Sequence, residues 1–131
     1  MQNPETPTDR VVVPPRGGLM HVIDASSYSI AGMRRLWGET AARLEFLAAL
    51  GTAILFMWSG AAFWHWFVAF ALFAMVLAIE ALNTAIEVLT DRQSPEWSQM
   101  AKDAKDLGSL AVGLMLLITG SFVLAVVTGL V

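Results

Sequence analysis

Glu80, Asn83 and Glu87 stand at positions i, i+3 and i+7, so a helix would carry all three on one face. No Asp, Glu, Lys or Arg occurs in residues 46–79, and these polar residues end that run. A carboxylate beside hydrocarbon costs on the order of 3 kcal/mol, which makes it a functional-site candidate by default. Glu39, Glu45, Asp91, Asp103, Lys105 and Asp106 project to a similar depth, at one end of the apolar segments. A carboxylate cluster there can hold Mg²⁺, which takes oxygen ligands and keeps waters and substrate phosphates in its shell. It can equally supply a general base. Arg43, Lys102 and Lys105 can neutralise phosphate oxygens.

Each of these residues also has a plainer role. Charges at the ends of spanning helices commonly anchor or solvate, and that is the first expectation for Glu45, Asp91, Lys102 and Asp103. Asn83 alone would suit an interhelical hydrogen bond. His65 lies between Trp64 and Trp66 and fits a membrane interface. Glu80 is harder to explain this way, because a long uncharged run leads into it.

The elements that position these residues follow from the hydropathy pattern. Residues 41–59 form a first apolar run, close to the ~20 residues that cross a hydrocarbon core. Gly60 allows a tight turn. Residues 61–89 form a second helix longer than the core, so its last turns emerge with Glu87 and then Asp91. Ser94-Pro95 marks a short loop, with Pro95 opening the next helix. Residues 100–130 form a third helix, charged only in its first turns. Ahead of them, residues 19–37 mix Ile23, Ile30, Met33 and Trp37 with Asp24, Arg34 and Arg35, as an amphipathic surface helix does. Residues 1–18 hold Pro4, Pro7, Pro14 and Pro15 and read as a disordered tail. The fold class is therefore all-α, a polytopic membrane protein with three transmembrane helices and an N-terminal surface helix.

All 8 Lys and Arg residues fall in the N-terminal third or between Arg92 and Lys105. By the positive-inside rule the N-terminus and the second loop face the cytoplasm. Trp58, Trp64 and Trp66 then mark the far interface, and Trp37 and Trp97 the near one.

Composition excludes other classes. The chain is 131 residues long, 56% hydrophobic and 15% charged, against about 25% charged in soluble domains. Its 0 cysteines rule out disulfides and thiolate metal sites, and its net charge of −3 gives no reason to expect nucleic-acid binding. The N-terminus lacks the basic-then-apolar order of a cleavable signal peptide. Neither glycine-rich phosphate-binding pattern nor the Gly-x-Ser-x-Gly elbow is present.

The stretch Glu80-Ala-Leu-Asn-Thr-Ala-Ile-Glu-Val-Leu-Thr-Asp-Arg, with Ser94-Pro-Glu and Ala101-Lys-Asp-Ala-Lys-Asp-Leu-Gly-Ser, closely resembles the bacterial diacylglycerol kinase family. Glu39-Thr-Ala-Ala-Arg-Leu-Glu resembles the family's first-helix motif, and Tyr28-Ser-Ile-Ala-Gly-Met-Arg its surface-helix motif. The match covers about residues 20–130. His21 stands where the family's surface helix carries an Arg.

The resemblance implies a homotrimer in the bacterial inner membrane, transferring the γ-phosphoryl group of MgATP to diacylglycerol to give phosphatidic acid. Glu80 then resembles the general base and Asn83 the residue that orients it or the phosphoryl group. Glu39 and Glu87 resemble the carboxylates that hold Mg²⁺ on the ATP phosphates. Tyr28, Glu96, Trp97, Ser98, Lys105 and Asp106 would meet the nucleotide. Arg34, Arg43, Glu80 and Ser109 would meet the lipid. Undecaprenol kinase, of the same architecture, is the nearest alternative. A cation conductor using Glu80 and Glu87 would need polar residues through the membrane, which residues 63–79 do not offer. A scaffold would not need buried carboxylates.

Overall fold

The computed structural model describes residues 17–131, and every regular element among them is helical. The four helices are α1 (Leu19–Trp37), α2 (Thr40–Ser59), α3 (Phe63–Gln93) and α4 (Gln99–Val127). The last three are long and apolar enough to cross a membrane. Of the tail expected over residues 1–18, residues 1–16 lie outside the described residues; Gly17 and Gly18 are exposed.

The chain divides into two units, one ending at Ala31 and the other Gly32–Val131. In the first unit Gly18 has a φ of 66°, and His21 N–H donates to Gly18 O at 3.1 Å as the helix begins. Ser26, Ser27 and Ser29 return their hydroxyls to the carbonyls of Val22, Asp24 and Ala25, so these serines do not interrupt the helix.

In the second unit α1 closes with Gly38 N–H donating to Arg35 O and Glu39 N–H to Leu36 O, at 3.1 and 2.9 Å. Glu39 is extended (φ −82°, ψ 137°) and caps α2. Gly60, at φ 69°, ends α2: its N–H and that of Ala61 both reach Phe56 O, the arrangement that a left-handed glycine makes possible. α3 opens with Ala62 N–H donating to His65 Nδ1 at 3.0 Å. It continues past Leu89 to Gln93, because charge does not end a helix. Ser94 does, since the residue before Pro95 is disfavoured in helical geometry (φ −129°, ψ 75°). Ser98 caps α4, its Oγ accepting from Ala101 N–H at 3.2 Å.

α3 packs chiefly against α4, and α2 rests more lightly on both. At the Gly60 end the core is aromatic. Phe56 is 1% exposed and meets His65, Trp66 and Phe122 edge-on. His65 is part of this core, at 7% exposure. Thr119 is buried farther along α4, its hydroxyl satisfied by Met115 O at 2.8 Å. Only 22%, 22% and 17% of the three apolar windows are buried within the chain, so most of their surface needs lipid or another apolar partner.

Candidate active site

α3 carries Glu80, Asn83, Glu87 and Asp91, each three or four residues from the next and hence on one face. With a rise of about 1.5 Å per residue, Glu87 lies ~10 Å and Asp91 ~16 Å along the axis from Glu80. Counted from Phe63, the ~20 residues of a hydrocarbon core end near Leu82. Glu80 therefore stands at one boundary of that core, with Glu87 and Asp91 beyond it.

Burial follows that order. Glu80 and Asn83 are 5% and 8% exposed, Glu87 is half-buried and Asp91 is exposed. Asn83 Nδ2 donates to Glu87 Oε1 at 3.1 Å and so holds the carboxylate from one turn below. Glu80 feels the negative charge of Glu87 and of Glu39, which arrives from the start of α2. Glu39 is half-buried and paired with Arg35. The three carboxylates thus share one electrostatic neighbourhood built from two helices.

Where α3 passes to α4, a cleft of about 330 Å³ gathers Glu96, Trp97, Ser98, Lys105 and Asp106, together with Asp91 and Lys102. Lys105 pairs with Asp91 across the two helices, and Lys102 pairs with Asp106 along α4. Trp97 is 77% exposed, leaving its ring face open for stacking. Arg43 is exposed and donates to Thr40 Oγ1 at 3.3 Å; Arg34 and Ser109 are exposed with neither in the cleft. Tyr28 is exposed in the first unit.

Among the described residues no three His, Asp or Glu side chains converge on a ready-made metal site. Glu39 and Glu87 nevertheless suit an ion that arrives with its substrate, because Mg²⁺ is usually held by one or two carboxylates plus phosphate oxygens.

Glu45 differs from its expected role as a solvated helix-end charge. It is 5% exposed, and neither carboxylate oxygen has a hydrogen-bond partner among the described residues. It lines an apolar pocket of about 190 Å³ with Phe46, Phe70 and Phe73, and Glu80 repels it electrostatically. Its mark in the sequence is its place as the last charge before the uncharged run.

The chain is similar to proteins of known family. The sequence pattern of the family "Prokaryotic diacylglycerol kinase" matches residues 27–127. A diacylglycerol kinase of Sinorhizobium is 44% identical over 110 residues, covering 84% of this chain and 80% of its own. The diacylglycerol kinase of Escherichia coli is 31% identical over 102 residues, covering 77% and 84%. That of Haemophilus influenzae is 34% identical over 105 residues, covering 79% and 88%. The chain belongs to the prokaryotic diacylglycerol kinase family and is a multi-pass membrane lipid kinase.

Proposed function

We propose that the protein transfers the γ-phosphoryl group of ATP, bound with Mg²⁺, to the free hydroxyl of diacylglycerol, giving phosphatidic acid and ADP. The carrying observation is the row of polar positions along one face of α3. A buried carboxylate stands at the hydrocarbon edge, a held carboxylate lies ~10 Å on, and an open cleft with a lysine begins at ~16 Å. An extended nucleoside triphosphate spans such a row, from a base at the cleft to a terminal phosphate near Glu80.

The residues divide the work. Glu80 accepts the hydroxyl proton as the lipid oxygen bonds to the γ-phosphorus and the bond to the β-phosphate oxygen breaks. Glu39 and Glu87 would hold the ion carried on the phosphates. When bound, Mg²⁺ offsets the charge that accumulates on the transferring and leaving oxygens. Asn83 fixes Glu87. Lys105 and Asp106 take the phosphate-side end of the cleft, and Glu96, Trp97 and Ser98 its outer wall. The apolar surface around Glu80 receives the acyl chains.

Three spanning helices leave much of their apolar surface uncovered, and we extend the proposal to a homotrimer in the inner membrane with its N-terminus in the cytoplasm. The distribution of Lys and Arg supports this orientation. Small residues such as Ala48, Gly51 and Gly113 would permit close approach between copies.

The reaction is tested with purified protein in mixed micelles, supplying diacylglycerol or undecaprenol with MgATP. Faster phosphorylation of diacylglycerol is expected. Preference for the polyprenol would reassign the substrate, and transfer to neither would overturn the proposal.

A further inference from the structure

Gly108 lies buried on α4, opposite Asn83 of α3. A Cβ built on Gly108 would come 2.2 Å from Asn83 Oδ1 and 3.3 Å from its Cγ, but 3.8 Å from its Cα. The obstruction is therefore the carboxamide itself, while the two backbones leave room for a methyl group. That same carboxamide donates from Nδ2 to Glu87 Oε1 at 3.1 Å. Its Oδ1 is buried with no conventional hydrogen-bond donor among the described residues. The oxygen instead points where Gly108 presents a Cα–H, a weakly attractive contact found between closely packed helices.

We propose that Gly108 is a positioning residue. Its missing side chain lets the Asn83 carboxamide lie flat against α4, so that the amide end reaches Glu87. A side chain at position 108 would displace the carboxamide and release Glu87 without touching either substrate. This inference rests on the proposed role of Glu87 at the phosphate-borne ion. Its structural part, that Gly108 sets the Asn83–Glu87 hydrogen bond, can be read without that ion.

The decisive measurement uses the full chain free of Mg²⁺ and nucleotide. The Asn83 side-chain amide is followed by NMR and assigned by its loss in Asn83→Ser. In the wild type its protons should be shifted downfield and exchange slowly. Gly108→Ala should move them to the position seen in Glu87→Ala, where the acceptor is gone. An unchanged amide signal in Gly108→Ala would overturn the proposal. If Gly108→Ala does not fold, Asn83→Ser/Gly108→Ala decides. A folded double variant supports a clash with the carboxamide, and an unfolded one shows a general packing role.

Activity provides a second readout. Gly108→Ala and Asn83→Ser should each lower turnover at limiting Mg²⁺ by roughly tenfold, as loss of a hydrogen bond to a charged group would. The double variant should be no worse than Asn83→Ser alone, whereas losses that multiply would contradict the proposal. Should Glu87→Ala leave the Mg²⁺ dependence unchanged, the role given to Glu87 fails, and the amide signal still reports on Gly108.

Discussion

Lys105 on α4 is paired with Asp91 in the last turn of α3, so the cleft's most sheltered cation is already engaged by a carboxylate. Both side chains are more than a third exposed, and an exposed pair of this kind contributes at most about 1 kcal/mol. A polyphosphate can therefore take over Lys105 with little loss. Lys105→Ala should raise the KM for MgATP by roughly tenfold to a hundredfold, as expected when a charge-assisted hydrogen bond to phosphate is lost. Asp91→Asn should change thermal stability by less than about 1 kcal/mol. Saturation kinetics and thermal unfolding check the two halves separately, and an unchanged KM in Lys105→Ala would remove Lys105 from the nucleotide site.

Glu39 and Glu87 are half-buried on different helices, and both act electrostatically on Glu80. Glu39→Gln and Glu87→Gln should each raise the Mg²⁺ concentration needed for half-maximal activity by about tenfold or more. High Mg²⁺ should restore part of the rate. A Mg²⁺ titration that superimposes on the wild type in both variants would exclude them from the ion's shell.

Glu45 tests whether a buried carboxylate is retained for activity rather than for stability. It lacks hydrogen-bond partners among the described residues and is repelled by Glu80. Glu45→Leu should therefore raise unfolding stability, by about 1–3 kcal/mol from relief of an unsatisfied buried group, while turnover falls. Unfolding in detergent and the micellar kinase assay measure the two effects. A destabilised Glu45→Leu protein would show that the carboxylate is satisfied in the assembled protein.

Residues 1–18 precede the region matched by the family, which begins at residue 27. Deleting them should leave turnover within about twofold, since proline-rich polar termini are usually dispensable. A correctly inserted but inactive truncation would assign them a role in the reaction.

Much of the fold is legible in the sequence because lipid-facing helices need uninterrupted apolar runs, and residues 46–79 and 107–131 provide them. The row Glu80, Asn83, Glu87 is legible because helical periodicity alone places it on one face. The partners of these residues are less accessible. The contacts of Asn83 with Gly108 and of Lys105 with Asp91 depend on how α3 and α4 align, and no spacing within one helix encodes that alignment. The burial of Glu45 escapes for a related reason: α2 is apolar nearly all round, so no polar stripe shows which face turns inward.

Glu80 has the proposed role of taking the proton from the lipid hydroxyl. That role is tested most directly by the rate of phosphatidic acid formation in the wild type and in Glu80→Gln. Both proteins should be folded and assembled alike, at saturating MgATP and diacylglycerol. The substitution keeps the shape of the side chain and removes its basicity, so turnover should fall by roughly 10²–10⁴, the usual contribution of a general base. A Glu80→Gln protein that forms phosphatidic acid at a near-normal rate would show that Glu80 is not the general base.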